Sequence, residues 1–267
     1  MKIGIDAGIS ATKVVLLEGG AIRHTELWEG HPAPTRMVTF LKGLHGVVEQ
    51  VTLTGVGSKV LAERLAKETF GFKAEVVDEF EANARVARYA CSEERFITVS
   101  MGSGTSFVLI DGAQSTHIGG SALGGGTLTG LMKLMLPCTD YDTLCELAGH
   151  GAPSRIDLQI GDVSPEPLPG LPADVTAVCL GRASAQSRPE DIAAGLINLV
   201  LQNIGVMAFL AGSGRGVKTF VMMGRMTTLP HSQDIFDKLS RLYGIRIIVP
   251  PYATYMTAVG AALGTVR

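Results

Sequence analysis

Short apolar runs alternate with amphipathic stretches along the whole chain. The run Lys2-Ile3-Gly4-Ile5-Asp6-Ala7-Gly8 predicts a buried strand that ends in an acid and a glycine. Ile9 to Thr12 turns the chain, Lys13 to Leu17 reads as a second strand, and Gly19-Gly20 leads into a third, Ala21 to Trp28. Pro34 suits the first turn of a helix running to Leu44. Gln50 to Leu53 and Ala74 to Val77 predict further strands, and Lys59 to Thr69 and Glu79 to Tyr89 predict helices.

After the polar break Glu93-Glu94-Arg95 the opening pattern repeats. Strands are expected at Phe96 to Val99, at Phe107 to Ile110 and near Thr116-His117-Ile118, with a hairpin at Asp111-Gly112 and a helix from Gly126 to Leu136. Ser164 to Pro172 carries four prolines and predicts a loop or flap. A long apolar helix covering Ile192 to Leu210 comes next. A strand at Lys218 to Met223, a helix at Ser232 to Tyr243, a strand at Ile245 to Val249 and a helix at Thr254 to Leu263 complete the series. Strand hairpins followed by alternating strands and helices imply an α/β fold of mixed sheets flanked by helices. The repeat implies two lobes, 1–90 and 91–267, facing each other so that both glycine turns meet at a shared cleft, with the last helix free to pack back on the first lobe.

The 267 residues are 46% hydrophobic, ample for a sizeable core, and the net charge of -2 gives no electrostatic case for nucleic acid or an anionic membrane. Cys91, Cys138, Cys145 and Cys179 are scattered, without a C-x-x-C pair, and read as reduced thiols of a cytoplasmic protein. No signal peptide is visible before the first strand. Asn198, Gln202 and Asn203 interrupt the long apolar stretch, which therefore reads as a helix buried in the core or at a subunit interface rather than a membrane span.

Three stretches carry candidate chemistry. Ser100 to Leu131 holds a Gly-Ser-Gly-Thr-Ser turn, Gly119-Gly120 and the triple glycine Gly124-Gly125-Gly126 at a helix start. Glycine permits close backbone approach, and amides at turns and helix starts face anions, so phosphate is a natural guest. An ordinary glycine-rich hairpin would look the same. In the second stretch, Asp6 to Lys13, Asp6 suits water-mediated Mg²⁺, Ser10 and Thr12 offer hydroxyls, and Lys13 offers positive charge to phosphoryl oxygens. In the third, Asp78, Glu79 and Glu81 begin a helix, where the macrodipole alone favours acids. Phosphoryl transfer to an alcohol needs one such carboxylate, and spacing does not choose among the three.

DAGISATK, LTGVGSKVLAE, VVDEFEA, SMGSGTS, HIGGSALGGGTLTGL, TDYDTL, the Ile156-Asp157-Leu158 segment and the final Ala-Val-Gly-Ala-Ala-Leu resemble, in order, the type II pantothenate kinases. That family belongs to the acetate and sugar kinase/Hsp70/actin superfamily. The resemblance implies two actin-like (ribonuclease H-like) lobes, a homodimer, and ATP- and Mg²⁺-dependent phosphorylation of pantothenate, the first step towards coenzyme A. By motif, Asp6, Ala7, Gly8, Ile9, Ser10, Ala11, Thr12 and Lys13 look like the first phosphate loop, with Asp6 placing Mg²⁺ through water. Glu79 would be the catalytic base. Ser103 would sit by both phosphate and pantothenate, and Ser106 by pantothenate. Gly125, Gly126, Thr127, Leu128 and Thr129 look like the second nucleotide loop, Tyr141 matches a tyrosine near the nucleotide, and Arg225 after Gly224 occupies the adenine-side turn.

Three positions depart from the family pattern. Ile9 stands where a second glycine is usual, and Arg225 where bacterial relatives often have serine. His117 stands where the family has an arginine that holds the pantothenate carboxylate, so a substrate contact and a locally bonded strand histidine both stay open. These departures leave two alternatives: a kinase of another small alcohol or amino sugar, or a non-catalytic nucleotide-binding regulator. The remaining groups read as structural: Trp28 on a lobe face, Met207, Phe209, Leu210, Met222 and Met223 in the core, and Arg182 and Arg188 on a solvated loop.

Overall fold

A computed structural model of the chain describes residues 1–30, 33–44, 46–137, 140–164, 166 and 168–264. Cys138, Pro165 and Pro167, singled out above, lie outside the described residues, as does Thr139 of the TDYDTL motif.

The first part of the chain runs β1 (Lys2–Ala7), β2 (Ala11–Glu18), β3 (Ala21–Glu29), α1 (Pro34–Gly43), β4 (Gln50–Thr54), α2 (Ser58–Leu65), β5 (Ala74–Val76) and α3 (Glu79–Ala90). The second begins with β6 (Arg95–Met101), β7 (Thr105–Asp111), β8 (Gln114–Ser121), α4 (Gly125–Met135) and α5 (Tyr141–His150). A small excursion follows, made of β9 (Leu158–Gln159), α6 (Ile160–Val163) and β10 (Thr176–Val178). The chain then completes its second sheet with α7 (Pro189–Ser213), β11 (Thr219–Met223), α8 (Ser232–Tyr243) and β12 (Arg246–Ile248), and α9 (Met256–Leu263) comes last.

The repeat read from the sequence is a repeat of topology. The first sheet is ordered β3-β2-β1-β4-β5 and the second β8-β7-β6-β11-β12. In each, the three opening strands are antiparallel neighbours and the last two join in parallel. Their central strands lack a polar face because helices cover both sides. Along β2, Val14 and Leu16 point to the core shared with α1 and α2, while Val15 and Leu17 point to the core between the sheets. Along β6, Phe96 joins that middle core, and Ile97 and Val99 face α4, α7 and α8.

Helices α3 and α9 lie in the middle layer, and their seating requires glycine. A Cβ on Gly4 of β1 would lie 1.9 Å from the Ala258 carbonyl oxygen, and one on Gly260 would lie 1.9 Å from that of Ala82. Helix α9 is therefore wedged directly against β1 on one side and α3 on the other.

Several boundaries differ from expectation. Helix α2 ends at Leu65 rather than Thr69, and α7 extends beyond Ile192 and Leu210 at both ends. Helix α5, capped by Asp140 through the Thr143 amide at 2.8 Å, is not among the elements expected above, nor is the β9–β10 pair. Helix α7 is long and apolar enough to cross a membrane, yet most of it is buried inside the second part of the fold. Of the proline-rich stretch, Leu168 and Leu171 pair in an isolated antiparallel bridge.

Candidate active site

The β1–β2 turn is closed by the Gly8 amide, which donates to the Ala11 carbonyl at 3.1 Å. Antiparallel register sets Asp6 opposite Lys13, and the ammonium donates to Asp6 Oδ2 at 3.0 Å with both side chains largely buried. Strand alternation then sorts the neighbours. Asp6, Gly8, Ile9, Ser10, Ala11 and Lys13 line a cleft between the two sheets. Ala7 and Thr12 are buried on the other face, and Thr12 Oγ1 has no hydrogen-bond partner. The Thr12 hydroxyl expected to meet phosphoryl oxygens is thus turned away from the cleft, because Lys13 takes the cleft-facing register.

The second turn, between β6 and β7, faces the first. The Gly102 amide donates to Gly104 O at 2.8 Å. The first two amides of α4 hold this turn from behind: Gly125 N donates to Gly102 O at 2.8 Å, and Gly126 N to Ser103 O at 2.9 Å. The sequence suggested that these amides would point at an anion; instead they brace the turn that carries Ser103. Gly124 packs closely against this turn, since a Cβ there would lie 2.6 Å from Ser103 O. Thr127 and Thr129 bond Ala122 O and Gly125 O, each at 2.8 Å, and so stabilise the helix start. Gly125, Gly126, Leu128 and Thr129 line the cleft, and Thr127 does not. The two turns touch where Ser10 Oγ and Ser103 Oγ form a hydrogen bond of 2.8 Å.

Structure separates the three acids at the start of α3. Asp78 caps the helix by accepting from the Phe80 and Glu81 amides at 2.9 and 3.2 Å. Glu81 pairs with Arg85 at 2.5 Å. Only Glu79 lines the cleft. Burial pushes its carboxyl above the usual range, and the nearby Asp6 charge pushes the same way while Lys13 opposes. Next to it, the His117 ring stacks on Phe80 with centroids 4.1 Å apart and planes 21° apart. His117 and Ser106 both line the cleft.

The far end of the cleft is built on Tyr141 and Arg225. The Arg225 guanidinium lies 3.7 Å over the Tyr141 ring, and the Tyr141 hydroxyl donates to Arg225 O at 3.1 Å. Arg225 also pairs with Glu29 from the end of β3 and lies 3.8 Å from Asp142. Burial pushes the Tyr141 hydroxyl up to about 12. Glu29, Val56 and Asp142 line the cleft too, and none was singled out from the sequence. Asp142 stands beside Tyr141 in the TDYDTL motif, which was the available signal; Glu29 ends an ordinary strand and gave none.

The cleft encloses about 820 Å³, within the range of small-molecule sites. No cluster of three or more metal-ligating side chains occurs among the described residues. Asp6 is the acid on the first turn, which fits an Mg²⁺ ion held mainly by water and phosphate oxygens, the usual mode for that ion.

Elsewhere, Trp28 is buried and meets Phe40 edge-on at 5.5 Å, and Met222 and Met223 are fully buried. Leu210, expected in the core, is 62% exposed on α7 because it falls on the face of that helix away from the sheet. Arg182 pairs with Asp162, and Arg188 with Glu190 at 3.2 Å. Cys91, Cys145 and Cys179 are free thiols, and burial pushes the Cys179 thiol up to about 11.

The chain is 26% identical to the type II pantothenate kinase of Staphylococcus haemolyticus (strain JCSC1435), over 100% of this chain and 99% of that protein. Component A of the Acidaminococcus fermentans (R)-2-hydroxyglutaryl-CoA dehydratase superposes with a TM-score of 0.62 at 20% identity, covering 98% of this chain and 96% of that one. A ROK family glucokinase from Streptomyces griseus, solved with glucose and AMPPNP, superposes with a TM-score of 0.58 at 15% identity, covering 98% and 97%. At these identities the solved structures show the fold: two actin-like halves with mixed sheets flanked by helices. The sequence model of the Fumble family matches residues 10–263, and with that span of the chain covered the protein belongs to the Fumble family.

Proposed function

We propose that the protein transfers the γ-phosphoryl group of ATP to the primary alcohol of pantothenate, the first step of coenzyme A synthesis. One observation carries the reading: the cleft joins two opposed glycine-hydroxyl turns, in contact through Ser10 and Ser103, to a raised carboxyl at Glu79. Full-length similarity to a type II pantothenate kinase supports the choice of acceptor.

In this reading the two turns bind and orient the polyphosphate. Lys13, held by Asp6, supplies positive charge at the first turn, and Asp6 would hold Mg²⁺ through water, where the ion would supply charge neutralisation to the phosphates. Glu79 accepts the proton of the attacking hydroxyl, for which a carboxyl raised by burial is better matched than a solvated one. Ser106 and His117 face the acceptor, while Tyr141 and Arg225 form the nucleoside end. Catalysis is then positioning together with charge stabilisation, in a site whose braced turns need little reorganisation.

The reading extends to the assembly. Residues 1–90 and 91–267 act as two lobes about the cleft, with α9 bridging to the first. Leu134 and Met135 of α4 and Leu210 of α7 are exposed apolar side chains on neighbouring helices, which suits burial against a second copy in a homodimer. ATP as donor suits a cytoplasmic enzyme.

The test is an ADP-release assay with purified protein, ATP, Mg²⁺ and pantothenate as sole acceptor, run beside a panel of sugars and other alcohols. Pantothenate-dependent ADP release is expected. Phosphorylation of a sugar but not of pantothenate, or nucleotide binding without turnover of any acceptor, would overturn it.

A further inference from the structure

Glu29 has no role in the chemistry just described, yet its carboxylate reaches across the cleft from β3 to the Arg225 guanidinium in the turn after β11. Arg225 is held ready for it. The Tyr141 ring supports the guanidinium, and the Tyr141 hydroxyl fixes the Arg225 backbone. On the other side, Glu29 is paired in register with Ala11, and the next amide, Gly30 N, donates to Ser10 O at 2.8 Å. A pull on Glu29 is therefore delivered to the turn that carries Ser10.

We propose that Glu29 is a positioning residue that latches the two halves. Its ion pair with Arg225 holds the cleft closed and sets the Ser10 turn opposite Ser103 before nucleotide arrives. Asp142, 3.8 Å from the same guanidinium, receives Arg225 when the halves part, so the arginine keeps a partner in both positions. The pair is partly exposed: the Glu29 side chain is 65% accessible and that of Arg225 21%. It therefore biases closure by a modest factor, up to about fivefold, and salt weakens it. A latch of this strength shifts the opening equilibrium without trapping product.

The kinetic part of this inference rests on the kinase reading, whereas the structural part does not. Amide hydrogen exchange of the nucleotide-free protein tests the structural part. Glu29→Gln is expected to speed exchange at Gly8 and Gly30, and wild-type protein at about 1 M salt, where the Debye length is about 3 Å, is expected to do the same. Salt should add nothing in the variant. Steady-state kinetics test the other part: Glu29→Gln should raise KM for ATP about fivefold with kcat changed less than about twofold, and Glu29→Asp should recover most of the loss. Glu29→Gln with Arg225→Gln should be no worse than Arg225→Gln alone. Unchanged exchange at both glycines in Glu29→Gln, or additive effects in the double variant, would overturn the latch. Absence of nucleotide binding by the wild type would instead sink the kinase reading and leave the exchange experiment to decide the latch.

Discussion

Ser10 and Ser103, 93 positions apart in sequence, share a hydrogen bond of 2.8 Å between the tips of two equivalent turns. Each tip follows the central strand of its own sheet, so the contact arises because the two sheets have the same topology and face each other. Asp6, Lys13 and Glu79 line the same cleft.

Glu79→Gln should fold and bind nucleotide yet lose turnover by about 100-fold or more, the typical contribution of a positioned general base. Calorimetric ATP binding alongside the ADP-release assay separates the two effects. Wild-type turnover in this variant would remove Glu79 from the mechanism.

The raised carboxyl at Glu79 also fixes the sign of two pH effects. A base must be ionised, so kcat should fall as pH drops through the raised Glu79 value, placing the acid limb above the ordinary carboxylate range. Asp6 raises Glu79, so Asp6→Asn should move that limb to lower pH in whatever activity remains. For stability, a carboxyl whose folded value is raised binds its proton more tightly in the folded state. It therefore costs stability as pH rises from the unfolded value through the folded one. Glu79→Gln should consequently raise Tm at neutral pH and lose that advantage in acid, as thermal melts across pH would show.

His117 contributes a stacked ring where a guanidinium would offer a charged fork. His117→Arg should lower KM for pantothenate roughly tenfold, the scale of a charge-assisted hydrogen bond, with little change in KM for ATP. Equal shifts in both constants would argue against His117 facing the acceptor.

The glycines of the middle layer should be intolerant of any side chain. Gly4→Ala and Gly260→Ala each place a Cβ 1.9 Å from a backbone oxygen that belongs to a packed helix. Each should cost about 3 kcal/mol or more, read by denaturant midpoint, since backbone cannot yield as a flexible side chain would.

For the proposed assembly, wild-type protein should sediment as a dimer, and Leu210→Glu combined with Leu134→Glu should convert it into a monomer in sedimentation velocity. Both side chains are more than half exposed, so the fold itself should be little affected. A dimer that persists would move the interface elsewhere.

Much of this was legible in the chain because the signals were local. Apolar runs without alternation marked strands covered on both faces, and the glycine-hydroxyl turns marked the ends of β1 and β6. What stayed hidden was direction and partnership. Nothing in Asp6 to Lys13 tells that Thr12 turns inward while Lys13 takes the cleft; that follows from pairing with β1. Spacing did not separate the three acids at the start of α3, and only the family resemblance picked Glu79; capping by Asp78 and the Glu81–Arg85 pair leave Glu79 as the one of the three on the cleft. Glu29 was invisible for a similar reason, since its partner is 196 positions away.

Synthesis order gives the wedge of α9 a last consequence. A ribosome delivers Lys2–Ala7 long before Met256–Leu263, and the helix forms one wall behind that strand. Until the helix emerges, one apolar side of the opening sheet remains bare. Nascent chains stalled short of residue 256 should therefore recruit hold-type chaperones and resist protease poorly, whereas emergence of α9 should bring protection to both halves at once.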